Sequence, residues 1–327
     1  MAVSSTTRRH ASFVVLALAS LVTAPLAFAR QGAAPANPAA KRSPDVKPAA
    51  RNAPLKVGIS LHPYYSWTRA VVAGTDVEVR PILPGEIDVD NYSPRPEDIK
   101  KIADLDAIVL NGLGHDDVLK PMIAASGNAK LVQITPSEET PKLRGAHGEA
   151  VNSHTFLSFT NAIQQSYAIA RALGALRPEL AETFQANAAA YAKKLRRIKA
   201  DAAKALADVE QARVVTVHDG YGYLAQEFGI EIVAVVQPAH GLVPSAAELA
   251  AVIDVIRKEK VKVVFSEETF PAPRLDVLRR DAGADVYVLS HVATGEYADD
   301  KFEKEMKANA ETIVRALVGP KATAAGK

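Results

Sequence analysis

The feature that most restricts the fold of this chain is a regular alternation of short apolar runs with amphipathic stretches, from residue 55 to residue 320. An apolar run followed by a stretch of helical periodicity is typical of a β-α-β unit, and such units build sheets of mostly parallel strands. The alternation occurs twice, on either side of a long helical segment. It predicts an α/β protein of two lobes with mostly parallel sheets, linked by one long rigid helix.

The alternation also predicts the individual elements. Strands are expected at 57–61, 77–83, 107–110, 130–134, 213–217, 231–236, 261–265 and 285–289. Helices are expected at 66–72, 96–103, 117–125, 219–228, 245–258, 272–281 and 300–318. Between the two halves, residues 159–207 are expected to be helical with one break at Arg177-Pro178.

The first 54 residues differ from the rest of the chain. Arg8 and Arg9 precede an apolar stretch over 12–26, and Ala27-Phe28-Ala29 matches a cleavage signal for secretion. This predicts a cleaved signal peptide over 1–29 and a periplasmic protein; the alternative is an N-terminal membrane anchor. We further expect a disordered tether over 30–54, an N-terminal lobe over 55–158, a linking helical region over 159–207 and a C-terminal lobe over 208–320.

Composition narrows the function. The formal net charge is +2 and no long basic run is present, which argues against nucleic acid as a partner. The chain has no cysteine, so its stability must come from its core and not from disulfides. Gly112-Leu113-Gly114 follows a predicted strand, but the third glycine of a dinucleotide-binding motif is missing.

Histidines are concentrated where predicted strands end. In doubly wound α/β proteins the carboxyl ends of the strands line the ligand crevice. Several imidazoles that converge on one crevice form a metal site. The histidines downstream of the predicted signal peptide are His62, His115, His147, His154, His218, His240 and His291.

Four segments carry a resemblance to a known family. They are DNYSPRP (90–96), NSHTFLS (152–158), HDGYGYL (218–224) and LSH (289–291). Together with two lobes joined by a long helix, they resemble the metal-specific solute-binding proteins of ABC importers over roughly residues 55–318. The resemblance implies a monomeric periplasmic receptor that passes a divalent metal ion to a membrane permease.

The resemblance also implies a ligand set of Asp90, His154, His218 and His291. Three imidazole nitrogens and one carboxylate oxygen suit tetrahedral Zn²⁺, with Mn²⁺ or Fe²⁺ as alternatives. His115 and Glu268 are candidates for further ligands or for groups that orient a ligand. In the alternative ligand sets, Asp90 is replaced by His62, His115 or His240.

Two other functions compete with a metal receptor. A periplasmic metallohydrolase would use the same imidazoles with Glu268 as a base, although the chain contains neither HExxH nor GxSxG. An adhesin built on the same fold is the third possibility. We therefore expect a binding protein and not an enzyme.

Overall fold

The computed structural model describes residues 53–86, 92–146, 151–237 and 242–319. The predicted signal peptide and almost all of the predicted tether lie outside these ranges, as do Asp90, His147 and His240. Predictions on those residues stay predictions. All the described residues belong to one compact unit.

The described part of the first lobe contains one sheet and three α-helices. In chain order its elements are β1 (Lys56–Ile59), α1 (His62–Val71), β2 (Glu78–Pro81), α2 (Pro96–Ile102), β3 (Ala107–Val109), α3 (Leu119–Ala125) and β4 (Val132–Ile134). All pairings are parallel, and the strand order is β2-β1-β3-β4. Pro96 is the first residue of α2, as its sequence position predicts.

Two long helices follow the first lobe, and they pack against each other. They are α4 (Phe159–Leu176) and α5 (Ala181–Ala205), separated by a 3₁₀ turn at Pro178–Leu180. The break predicted at Arg177-Pro178 is confirmed. At 1.5 Å per residue, α5 is about 37 Å long. Its Asn187 side chain donates to the carbonyls of Val71 and Ala73 beside α1, at 2.9 Å each, so α5 is anchored to the first lobe.

The second lobe repeats the arrangement of the first. Its elements are β5 (Arg213–Thr216), α6 (Gly222–Glu227), β6 (Glu231–Val235), α7 (Ala246–Lys258), β7 (Val263–Ser266), α8 (Ala272–Val277), β8 (Asp285–Val288) and α9 (Lys301–Val318). The strand order is β6-β5-β7-β8, again all parallel. The two-lobed α/β class predicted from the sequence is confirmed. The long link is α5, which contacts α1 and α9.

The order of the strands places the crevice of each sheet. The chain leaves β1 for β2 on one side and returns to β3 on the other, and β5 has the same relation to β6 and β7. Ligands of open α/β sheets bind outside the carboxyl ends of the strands at such a switch point. The central strands are almost fully buried, whereas the edge strands are partly exposed. The switch points therefore lie in the best-packed part of each sheet.

One hydrophobic core extends through both lobes. It includes the first sheet, α4, α5, α9 and the face of the second sheet that carries Val214 and Val263. Neighbouring residues Val215 and Val264 point to the other face and pack with α7 in a separate core. Because the lobes share a continuous core, the joint between them is stiff.

Helix α1 begins one turn earlier than predicted. The sequence indicated a start near Ser66, but the helix begins at His62, with Pro63 in its first turn. Proline is tolerated there because the first-turn N–H groups have no partner within the helix. His62 is therefore part of α1 and not of a loop.

Across the described ranges, none of the helices combines the length and the apolar character that a membrane crossing requires.

Candidate metal centre

Three of the four predicted ligands converge in space. A nitrogen atom from each of His154, His218 and His291 lies within 4.8 Å of a nitrogen from each of the other two. The ring centroids are 4.6 to 5.2 Å apart. His154 and His218 are buried and His291 is half-buried. We call these three side chains the histidine triad.

The triad is assembled from three separate parts of the chain. His154 lies in the turn before α4, His218 lies between β5 and α6, and His291 follows β8. His218 occupies the position just before a 3₁₀ turn, but its side chain makes no capping hydrogen bond. Its Nε2 lies 3.0 Å from Nε2 of His154, so the imidazole is directed to the triad.

Asn152 orients the imidazole of His154. Its Oδ1 atom accepts hydrogen bonds from the backbone N–H of His154 at 2.9 Å and from Nδ1 of the ring at 3.0 Å. An amide oxygen only accepts, so Nδ1 carries the proton and Nε2 carries the lone pair. Nε2 of His154 lies 3.0 Å from Nε2 of His218. A hydrogen-bonded Nδ1–H that leaves Nε2 free is the usual arrangement of a metal-binding histidine.

Asn152 also joins the segments that carry His154 and His218. Its Nδ2 donates to the carbonyl of Asp219 at 2.5 Å, and its own carbonyl accepts from the hydroxyl of Tyr223 at 2.8 Å. The close approach needs a glycine at position 220. A Cβ there would lie 2.7 Å from Cδ2 of His218 and 3.3 Å from Cδ2 of His154. The absence of a side chain thus gives the two imidazoles room.

The backbone beside His291 is held by α9. Asn309 accepts from the N–H of Ser290 at 2.7 Å and donates to its carbonyl at 2.8 Å. The next residue, Val292, has φ +66°, and its N–H donates to Oγ of Ser290 at 2.9 Å. A left-handed β-branched residue costs about 1–3 kcal/mol and persists only where its surroundings enforce it. The position of His291 is therefore imposed by tertiary contacts.

His115 lies next to the triad. Its ring centroid is 5.1 Å from that of His154 and 6.3 Å from that of His291. The fully buried ring of Phe156 contacts the same imidazoles, with centroids 5.4 to 5.7 Å away. His115 thus lies beside the triad but is not in the group of side chains whose ligand atoms converge, and Phe156 gives the site an apolar wall.

Glu268 is exposed in the turn after β7. Within the described part of the chain, its carboxylate is not in the group of side chains that converge in the triad. Its neighbour Glu267 is half-buried. Burial, together with the negative charges of Glu267 and Glu268, raises the pKa of Tyr221 well above its ordinary value. Both carboxylates thus lie near the segment that carries His218, and Glu267 is the closer partner of that segment.

His62 lies in a contact between the lobes and outside the triad. Its ring stacks on Tyr297 with centroids 3.9 Å apart, and its Nε2 donates to the carbonyl of Gly295 at 2.6 Å. Burial, assisted by nearby Lys301, lowers the pKa of His62 to about 4, although the hydrogen bond to Gly295 and the charge of Glu305 oppose the shift. His62 is therefore a neutral donor that ties α1 to the segment after His291.

We expect the metal-free protein to lose stability through His62 as the pH falls from 6.5 to 4. Within this window the unfolded chain binds the proton and the folded chain does not, so the free energy of unfolding falls with pH. A shift of this size corresponds to about 3 kcal/mol. Chemical denaturation of wild type and His62→Gln across this pH range measures the difference. Parallel pH dependences in the two proteins would contradict the assignment.

The sequence analysis assigned no individual role to several residues that shape the site, although Asn152 and Phe156 lie in the segment NSHTFLS. Asn152 has a recognisable signal, because an asparagine two residues before a histidine in a turn commonly bonds to the following backbone N–H. Phe156 and Asn309 have no such signal. An apolar residue in a loop and a polar residue on a helix acquire their roles only when distant segments meet.

The triad fits a small divalent cation. Nitrogen ligands at 2.0–2.1 Å from a tetrahedral Zn²⁺ lie roughly 3.3 Å apart. The Nε2 atoms of His154 and His218, at 3.0 Å, are close to this spacing. Neutral imidazoles within an apolar wall are suited to Zn²⁺ and to other late first-row ions.

Comparison with known proteins agrees with this geometry. Residues 57–316 match the family described as zinc-uptake complex component A, periplasmic. A relative is the zinc-binding protein AdcA of Streptococcus pyogenes serotype M6, which is 28% identical over 285 residues. The alignment covers 80% of this chain and 54% of that protein, so the chain spans about half the length of this relative.

Solved structures extend the similarity. The SBP FpvC of Pseudomonas aeruginosa in complex with Ni²⁺ is 43% identical, with a TM-score of 0.76 over 81% of this chain and 97% of that one. The same protein in complex with Mn²⁺ has the same identity and TM-score. A crystal structure of ZnuA is 25% identical, with a TM-score of 0.70 over 80% of this chain and 99% of that one.

The fold and the site define a protein of two α/β lobes, each with one parallel sheet, and a histidine triad able to hold a metal ion. The family match covers well over half of the chain. The protein belongs to the family of periplasmic zinc-uptake component A proteins, and the relatives described above are binding proteins rather than enzymes.

Proposed function

We propose that this protein is an extracytoplasmic receptor that binds one divalent metal ion, Zn²⁺ in the first place, and delivers it to the permease of an ABC importer. The observation that carries the proposal is the histidine triad, in which side chains from three distant segments approach within 4.8 Å of one another. The family match and the zinc-binding relative support zinc. Mn²⁺ and Fe²⁺ are the alternatives. The similar protein FpvC has been solved in complex with Ni²⁺ and in complex with Mn²⁺.

We propose Asp90 as the fourth ligand beside His154, His218 and His291. Three nitrogens and one oxygen would complete a tetrahedral set for Zn²⁺. His115 is the alternative fourth ligand, because its ring lies 5.1 Å from that of His154. A set filled by four protein side chains leaves no coordination position for a reacting water, so the proposed role is binding without catalysis.

The proposal includes the location of the protein and the extent of its parts. Residues 1–29 are a cleaved signal peptide, residues 30–54 a tether to the folded part, and the mature protein is a periplasmic monomer. The first lobe covers 55–158, the linking helices 159–207 and the second lobe 208–320.

Native mass spectrometry with elemental analysis tests this function. The mature protein is measured as purified, after chelation and during zinc titration, and we expect a monomer with one tightly held zinc. Tight binding of manganese or iron with weak binding of zinc would reassign the cargo but keep the receptor class. A protein that holds no metal at any loading would overturn the proposal.

A further inference from the structure

The carboxylate of Glu227 lies at the beginning of α4, although Glu227 is the last residue of α6. It accepts hydrogen bonds from Oγ of Ser158 at 2.9 Å, from the N–H of Phe159 at 3.0 Å and from the N–H of Thr160 at 2.6 Å. Its side chain is 7% exposed. The second lobe thus caps the helix that starts the link between the lobes.

The surroundings of Glu227 compensate its buried charge. The N-terminus of a helix carries a partial positive charge and N–H groups that lack intrahelical partners. Glu227 accepts from the first two of these groups in α4, and Oγ of Ser158 accepts from the third, that of Asn161, at 3.0 Å. Nζ of Lys199 on α5 lies 3.4 Å from Oε1 of Glu227. Glu227, more than 60 residues away in the chain, thus accepts hydrogen bonds that a residue next to the helix start usually accepts.

This cap is directly connected to His154. Three residues separate His154 from Ser158, and all three, Thr155, Phe156 and Leu157, are fully buried. The N–H of Leu157 donates to the carbonyl of His154 at 3.0 Å, which closes the turn. A displacement of the start of α4 would therefore move the imidazole of His154.

The same cap is connected to His218 through α6. The 3₁₀ turn at Asp219–Tyr221 leads straight into α6, so one short helical piece runs from His218 to Glu227. It is bound to the His154 segment at both ends. Asn152 holds the end at Asp219 with its 2.5 Å hydrogen bond, and Glu227 holds the other end. Tyr223 adds a second bond to Asn152 near the first end, so Glu227 is the attachment that holds the far end of the piece against rotation about the Asn152 contacts.

We propose that Glu227 is a positioning residue of the metal centre: by capping α4 from α6, it fixes the spacing between the imidazoles of His154 and His218. This inference rests on the proposed function, because it assigns Glu227 to the geometry of the ion site. A site whose ligands are already in place needs no reorganisation when the ion arrives, and this raises its affinity.

Glu227→Gln tests the proposal. The substitution keeps the size of the side chain but removes its charge and replaces one accepting oxygen with a donor that faces N–H groups. We expect one zinc per chain, with an affinity lowered about 10- to 100-fold, the range for losing a group that orients a ligand. Chelator competition measures the affinity. In the Co²⁺-loaded protein we expect the visible absorption bands, which report ligand geometry, to shift.

Glu303→Gln is the matched control. Glu303 is also a buried carboxylate, with 8% of its side chain exposed, and it accepts from Tyr191 at 2.9 Å and from Lys194 at 2.6 Å. It lies on α9 and contacts none of the triad residues through these bonds. We expect Glu303→Gln to keep the zinc affinity and Co²⁺ spectrum of the wild type even where it lowers the melting temperature.

Glu227→Asp covers the case in which the glutamine variant does not fold. It keeps the charge but shortens the reach, so we expect an affinity between those of wild type and Glu227→Gln and a shifted Co²⁺ spectrum. Wild-type affinity and spectrum in a folded Glu227 variant would overturn the inference, and so would equal losses in the Glu227 and Glu303 variants. A wild-type protein that binds no metal would instead refute the proposed function.

Discussion

His218→Ala is expected to abolish tight zinc binding. The substitution removes one of the three imidazoles that converge within 4.8 Å and leaves only His154 and His291 of the triad. Loss of a group that only orients a ligand costs about 10- to 100-fold in affinity, so loss of a ligand should exceed about 100-fold. Chelator competition and native mass spectrometry of the zinc-titrated protein measure the effect.

Thermal unfolding gives an independent reading of the same variant. A ligand at 1,000 times its dissociation constant stabilises the folded state by about 4 kcal/mol, so zinc should raise the melting temperature of the wild type and leave that of His218→Ala almost unchanged. Ile256→Ala on α7 is the matched control, since it also truncates a buried side chain, but one in the separate core of the second lobe, and leaves the triad complete. Zinc binding of wild-type strength by His218→Ala would refute the ligand assignment.

Gly85→Ala should impair both stability and metal binding, although position 85 lies in the first lobe after β2. A Cβ at this position would lie 2.2 Å from the carbonyl oxygen of Gly295, which is backbone and has no rotamer to escape into. The N–H of Gly295 donates to Gly85 at 3.0 Å, and its carbonyl accepts from His62 at 2.6 Å. A methyl group would break this contact and push away the segment that begins at His291.

We expect Gly85→Ala to lower the free energy of unfolding by about 1–3 kcal/mol, the usual range for overpacking, and to lower zinc affinity about tenfold or more. Denaturant titration and chelator competition measure the two effects. Gly222→Ala is the control, because a Cβ there meets only Leu143, at an ordinary 3.7 Å. Equal stability and affinity in the two variants would show that the contact between Gly85 and Gly295 does not position His291.

Both predictions reflect how the site is held. His291 depends on α9 through Asn309 and on the first lobe through the contact of His62 and Gly85 with Gly295. His154 and His218 are joined to each other by Asn152. The ion site is therefore supported by contacts between segments that lie far apart in the chain, and changes outside the triad should affect it.

Much of the fold was predictable because its signals are local. Alternating apolar and amphipathic stretches place all eight described strands within a few residues of their observed positions. Pro178 marks the break between α4 and α5, since a proline N atom cannot donate to the preceding helix. The predicted start of α1 was wrong because Pro63 is compatible both with a helix that includes it in the first turn and with one that begins after it, near Ser66. Only the packing of the helix against α9 and α4 decided between these two starts.

The sequence by itself determined the two α/β lobes, the parallel sheets and the histidines that follow the strands, because periodicity and strand ends are properties of short segments. Periodicity and strand ends did not decide which histidines meet: the family resemblance pointed to His154, His218 and His291, and only the tertiary structure brings these three together. His62 follows a strand just as His218 does, yet its imidazole stacks on Tyr297 while that of His218 joins His154. The difference arises because the second lobe packs against α1 and α4. This packing brings together atoms of residues that lie far apart in the chain, and no local sequence pattern encodes the distance between such atoms in space.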